Sequence, residues 1–143
     1  MALYSPHASG IGNSAAYQVS GKPYAFTGAA PLSNADPTEI VFPTVTKQIT
    51  FVNNGAAGED IKIGFSHAGV DGSGATANYI LVQPLVDGGV PLTLDTKITK
   101  LYIISHDTSD TAAYSLYAAL TGVPNEDLPN SWLGSEGVGG TKP

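Results

Sequence analysis

Apolar and polar residues alternate through the middle of this chain with the period of two that a half-buried β-strand requires. Glu39-Ile40-Val41-Phe42 is a short apolar run closed by Pro43. The stretch from Val45 to Val52 puts Val45, Ile49 and Phe51 on one face, and Lys47, on that same face, breaks the alternation. Ile61-Lys62-Ile63-Gly64-Phe65 alternates cleanly, with Ile61, Ile63 and Phe65 inward. Asn78 to Val82 is the next predicted strand, ended by Pro84, and Val90 to Leu94 follows with Val90, Leu92 and Leu94 on one face. Ile98 to Ser105 reads as the longest strand, its Leu101 and Ile103 opposite Tyr102 and Ile104. Ala113 to Leu120 directs Tyr114, Leu116, Ala118 and Leu120 one way. Ala and Leu would also suit a helix there, but the alternation and the Tyr pair favour a strand.

Turn chemistry separates these runs. Asn53-Asn54-Gly55 is a hairpin signal, because Asn and Gly tolerate positive φ. Ala68 to Gly74 reads as a Gly-rich loop, and Asp87-Gly88-Gly89, Asp95-Thr96 and Asp107 to Asp110 as turns. About seven short strands with turn signals every 8 to 12 residues predict an all-β fold, an antiparallel β-sandwich of jelly-roll type that needs no helix. The 143 residues suit one domain, with the core at 37–121. Residues 1–36 read as an N-terminal assembly arm, poor in charge and rich in Gly, Ala, Ser and Pro. Tyr17-Gln18-Val19 and Tyr24-Ala25-Phe26-Thr27 would add one or two short strands. Residues 122–143 read as a C-terminal Gly/Pro-rich arm with Trp132-Leu133 as its apolar anchor.

Charge narrows the partners. Only 13% of residues are charged, the six basic ones are all Lys, and the net charge is −6. Counterion displacement and base readout lean on Arg and Lys, so nucleic acid is not an expected partner. No apolar stretch approaches the roughly 20 residues a membrane helix needs, and no membrane partner is expected. The chain has no Cys, which excludes disulfides, zinc–thiolate sites and a Cys nucleophile. Met1 to His7 has neither the basic nor the apolar region of a secretory signal. Folding is therefore expected inside a cell.

Candidate chemistry is thin. His67 follows Ser66, and His106 lies between Ser105 and Asp107. Neighbours on a strand point to opposite faces and do not make a triad by themselves. There is no G-x-S-x-G elbow and no H-E-x-x-H pair. Asp71-Gly72-Ser73-Gly74 and Asp107-Thr108-Ser109-Asp110 are oxygen-rich, but neither follows the EF-hand pattern. No catalytic, cofactor-binding or metal-ligating residue is assigned, and no cofactor is expected. The arms carry a different signal: Tyr4, Tyr17, Tyr24, Phe26, Leu128, Trp132 and Leu133 are spaced as anchors. Such arms reach over a neighbouring subunit and add strands or apolar plugs to it. Tyr4, Tyr17, Tyr24, Phe26, Trp132 and Leu133 are accordingly the expected partner interface.

One resemblance follows from Phe42-Pro43-Thr44-Val45-Thr46-Lys47, Ile63-Gly64-Phe65-Ser66 and Asn78-Tyr79-Ile80-Leu81. Leu92-Thr93-Leu94-Asp95 before Lys100-Leu101-Tyr102-Ile103, and Leu120-Thr121-Gly122-Val123-Pro124, extend it. Over residues 40 to 125 the chain resembles small β-sandwich virion proteins of tailed DNA phages. The resemblance implies a non-enzymatic capsid decoration or cement protein, often trimeric, that clamps seams of the major capsid protein on the virion surface after assembly in the host cytoplasm. The alternative is a carbohydrate-binding β-sandwich module, for example in a tail or fibre, with exposed Tyr or Trp stacked on sugar rings.

Overall fold

The computed structural model describes residues 22–71 and 77–127. Eight strands follow one another: β1 (Pro23–Ala30), β2 (Thr38–Val41), β3 (Thr46–Asn53), β4 (Ile61–Gly64), β5 (Ile80–Val82), β6 (Leu92–Leu94), β7 (Lys100–Ser105) and β8 (Ala112–Leu120). They form two four-stranded sheets, ordered β1-β8-β3-β6 and β2-β7-β4-β5. Every pairing is antiparallel. The fold is an all-β sandwich.

The alternation does the sorting. Along β8, Tyr114, Leu116, Ala118 and Leu120 are buried, while Ala113 and Tyr117 face solvent. Those inward residues meet Ile49 and Phe51 of β3 and Ile61, Ile63, Leu101 and Ile103 of the other sheet in one continuous core. Phe51 stacks on Tyr114 with ring centroids 5.3 Å apart. The break at Lys47 has a structural cause. The β3–β8 register shifts between Thr46 and Gln48, and this bulge turns Val45 and Thr46 both inward and moves Lys47 off the buried face.

Tyr24-Ala25-Phe26-Thr27, expected to add a short strand, lies in β1, which pairs along its whole length with β8, from Pro23 opposite Ala119 to Ala30 opposite Ala112. Other expectations are corrected. Asn53-Asn54-Gly55 does not close a hairpin, because β3 and β4 lie in different sheets. Asn53 is instead buried, its amide donating to the carbonyls of Glu59 (2.7 Å) and Val82 (2.8 Å) while its Oδ1 accepts from the Gly55 N–H. This Asx turn starts a crossover between the sheets. β8, with nine residues, is the longest strand, and β7 begins only at Lys100. Val90 stays outside β6 and is 74% exposed.

A short helix, α1 (His67–Asp71), stands where a loop was expected. Its Val70 packs on Tyr102 and Ile104, the outward side chains of β7. Strand β7 is therefore buried on both faces, and such a strand reads as a continuous apolar run. Gly64 lets the helix sit close: a Cβ there would stand 3.1 Å from the Asn78 carbonyl oxygen and would strike Val70 at 2.6 Å.

The register also fixes which end of the sandwich each segment occupies. Pro23, Thr46 and Leu120 share one end, and Lys22 joins them through its carbonyl, which accepts from the Leu120 N–H. The C-terminal part of the described chain lies at this end too: the Val45 N–H donates to the Val123 carbonyl, and the Asn125 amide to that of Phe42. Ala30, Asn53, Val82 and Ser105 mark the opposite end.

Candidate functional site

The densest group of titratable side chains lies on the outer face of the β2–β7 pair. Tyr102 donates its phenol proton to Glu39 Oε2 at 2.9 Å, and Lys100 pairs with Glu39 Oε1 at 3.1 Å. The His67 ring meets Tyr102 edge-on at 6.3 Å, and its Nε2 lies 4.0 Å from Asp36. Burial, with the Glu39 hydrogen bond behind it, pushes Tyr102 up to about 12, while that bond lowers Glu39 below its ordinary value. A phenol held protonated and a carboxylate held ionised are both far from the neutral range in which general acids and bases work. The group pins β2 and α1 to β7.

The residues singled out in the sequence are placed as follows. The Ser66 hydroxyl accepts from the Gly69 N–H at the start of α1. The Ser105 hydroxyl donates to the Asp110 carbonyl and accepts from the Asp107 N–H. Both are bound to backbone. Asp107 Oδ1 accepts from the Ser109 N–H and hydroxyl, which lowers its pKa and makes the acidic loop an Asx turn. Among the described residues no group of three or more His, Asp or Glu could hold a metal ion, and no helix is long and apolar enough to cross a membrane.

Of the expected interface residues, Tyr4, Tyr17, Trp132 and Leu133 lie outside the described residues, as does Leu128. Tyr24 packs edge-on against Phe42, ring centroids 5.6 Å apart, at the margin of the core. Phe26 tilts over Tyr114 and stays partly exposed. The exposed aromatic rings Phe26, Tyr79 and Tyr117 are spread over β1, the approach to β5 and the outer face of β8. Among the described residues the structure places these three rings on different elements.

What it does bring together is apolar and was not singled out in the sequence. The outermost strands on one side are β5 of one sheet and β6 of the other. Between them run Gln83 to Pro91, with a 3₁₀ turn at Leu85–Asp87. Tyr79, Leu81, Leu85, Val86 and Val90 are all exposed along this side, Val86 at 69%. A groove of about 390 Å³ lies between the two edges, lined by Ile80–Gln83 and by Gly88–Leu92. Its wall is built by a tight approach of backbone to backbone. Gly88 adopts φ +84°, and a Cβ on Gly89 would collide with the Gln83 carbonyl oxygen. The Asp87 carboxylate accepts from the Gly58 N–H and ties the loop to the crossover after β3. The available signal was Leu85-Val86 and Val90 inside a turn-rich stretch, where apolar residues have no strand partner to bury them.

No family model matches the chain, and no curated protein matches it significantly. Among solved structures, a chain described with Bacillus endospore appendages, a family of disulfide-linked pili, is 13% identical with a TM-score of 0.36. The alignment covers 70% of this chain and 87% of that one. A superposition that loose carries no argument about the work of this protein.

Proposed function

We propose that the chain is a non-enzymatic structural protein that acts by joining subunits into a larger assembly. The carrying observation is the groove between the β5 and β6 edges, lined by the exposed Leu81 and Val90, with Leu85 and Val86 exposed on the 3₁₀ turn that joins the two strands. Apolar side chains left exposed together at a groove mark interaction sites, unlike those scattered singly over a surface. Open strand edges invite further pairing unless they are covered.

The sandwich is proposed to be of jelly-roll type. The support is its pairing: β1 with β8, β2 with β7, β3 with β6 and β4 with β5. These are the rungs of one long hairpin, rolled so that β8 also meets β3 and β7 meets β4. Jelly rolls serve both capsids and lectins, so the fold alone does not choose between them. The sequence resemblance over residues 40 to 125 favours capsid decoration: a homo-oligomer, a trimer by preference, bridging major capsid subunits on a virion surface. Small interfaces repeated in many copies sum to a large effect.

Light scattering of the full chain over a tenfold concentration range tests this reading. A mass at a multiple of the 14.6 kDa chain, growing with concentration or already closed as a trimer, is expected. A mass of one chain throughout, without binding to any shell, would overturn it.

A further inference from the structure

We infer that copies of this chain join head to tail, the uncharged residues before β1 of one copy seating on the β5–β6 groove of the next. The inference deepens the assembly reading and rests on it.

Three observations converge on this occupant. First, the groove lining carries no charged side chain; its apolar walls include Leu81, Val90, Pro91 and Leu92. Second, residues 1–21 contain no Asp, Glu, Lys or Arg, although the whole chain has a net charge of −6. Within them, Ala15, Tyr17 and Val19 alternate with Ala16 and Gln18. That pattern suits a segment laid along a strand edge with one face in an apolar groove.

The third observation is where the two parts sit. Residues 1–21 lead into Lys22, at the end of the sandwich marked by Leu120 and on the β1 side. Val90 lies on the β6 side, beyond Leu92, which pairs with Phe51 towards the Asn53 end. Three strand spacings and roughly 20 Å along the strands separate Lys22 from Val90, about 25 Å in all. Tyr17 is five residues upstream of Lys22 and reaches at most about 17 Å from it. Tyr17 therefore cannot span the distance to Val90 of its own chain. A neighbouring copy stacked against that end offers the groove instead. Contacts of this head-to-tail kind close into a ring when the rotation allows, a trimer included, and otherwise continue as a filament.

The test uses two variants of the full chain, analysed by light scattering singly and mixed. Val90→Glu puts a charge at the groove of a residue already exposed, and Tyr17→Glu puts one in the leading segment. Each alone is expected to show the mass of one chain where the parent protein assembles. Their equimolar mixture is expected to give a species of twice that mass and nothing larger, because one productive pair remains: the leading segment of the Val90→Glu copy with the groove of the Tyr17→Glu copy. A misfolded variant could not form that pair, so the mixture also controls for folding. Assembly that survives both substitutions would overturn the inference and leave the assembly reading standing. Loss with Val90→Glu but not with Tyr17→Glu would point to symmetric edge pairing and equally overturn it. A parent chain that is monomeric at every concentration would overturn both.

Discussion

Tyr102 and Glu39 face each other across the β2–β7 pair, phenol to carboxylate at 2.9 Å, and each holds the other in one protonation state. The phenol is raised to about 12, first by burial and then by this bond. A group whose folded pKa lies above its unfolded value of 10.0 adds stability that is complete below 10 and lost as pH rises through 12. Glu39 has the opposite sign: its lowered value adds stability above its ordinary 4.5 that is lost as pH falls below it. Tyr102→Phe is expected to lower stability at pH 7 by about 1 kcal/mol, since the exposed Glu39 carboxylate regains water. It should also flatten the decline between pH 10 and 12. Urea titrations at pH 7 and 11 check this, and an unchanged alkaline decline would refute it.

Asn53 is the joint between the sheets at the far end from Lys22. It is buried with all three of its hydrogen bonds to backbone. Asn53→Ala would leave the Glu59 and Val82 carbonyls short of a donor, at a cost of about 1 to 3 kcal/mol for each buried group left unsatisfied. A total loss of about 2 to 4 kcal/mol is expected from denaturant unfolding. Asn53→Asp should be no better, because a carboxylate would face those two carbonyls with no proton to give. A loss below 1 kcal/mol for both variants would show that the crossover does not depend on this side chain.

The strands were legible in the sequence because burial on one face leaves a period of two. The inward residues of β8 and β4 follow directly from it. The pairing was not legible, because alternation says which face is buried and not which strand lies alongside. Asn53-Asn54-Gly55 shows the difference: the same residues that close a hairpin can instead start a crossover when the side-chain amide finds carbonyls in another sheet. Helix α1 was hidden for a related reason. Five residues are too few for a helical period, and its one large buried side chain, Val70, fits a loop equally well. The apolar side was not legible because Val90 alternates with Leu92 and Leu94 on one face of a predicted strand, whereas β6 begins only at Leu92 and Val90 stands exposed before it.

Gly89 decides whether the groove exists. Any side chain there collides with the Gln83 carbonyl oxygen and would stand 2.8 Å from that of Pro84. Both are backbone atoms that cannot rotate away. Gly89→Ala is expected to push the Gln83–Pro91 segment outward, costing about 1 to 3 kcal/mol and weakening assembly beyond that loss of stability. Gly58→Ala is the comparison, since Gly58 has φ +84°, which Gly89 does not, and a Cβ there meets nothing within 4 Å. It should carry only the conformational penalty, about 1 kcal/mol. Melting curves and solution mass for both variants separate strain from crowding, and equal effects on assembly would count against a role for the groove.

Two exposed valines on opposite sides of the sandwich provide the last test. Val86 is 69% exposed on the apolar side, and Val41 is 52% exposed on β2, the outermost strand at the other side of its sheet. Neither contributes to the core, so Val86→Asp and Val41→Asp should each change stability by less than about 0.5 kcal/mol. Their effects on assembly should diverge. A carboxylate buried at a joint must lose its water without gaining a partner, so Val86→Asp is expected to shift association to at least tenfold higher concentration. Val41→Asp is expected to leave association unchanged, because Val41 lies away from the groove, opposite Lys100 of β7 and two residues from Glu39 on β2. Sedimentation of both variants over a matched concentration range measures the contrast. Equal shifts would mean that added negative charge, and not the apolar side, governs the association of this already acidic chain.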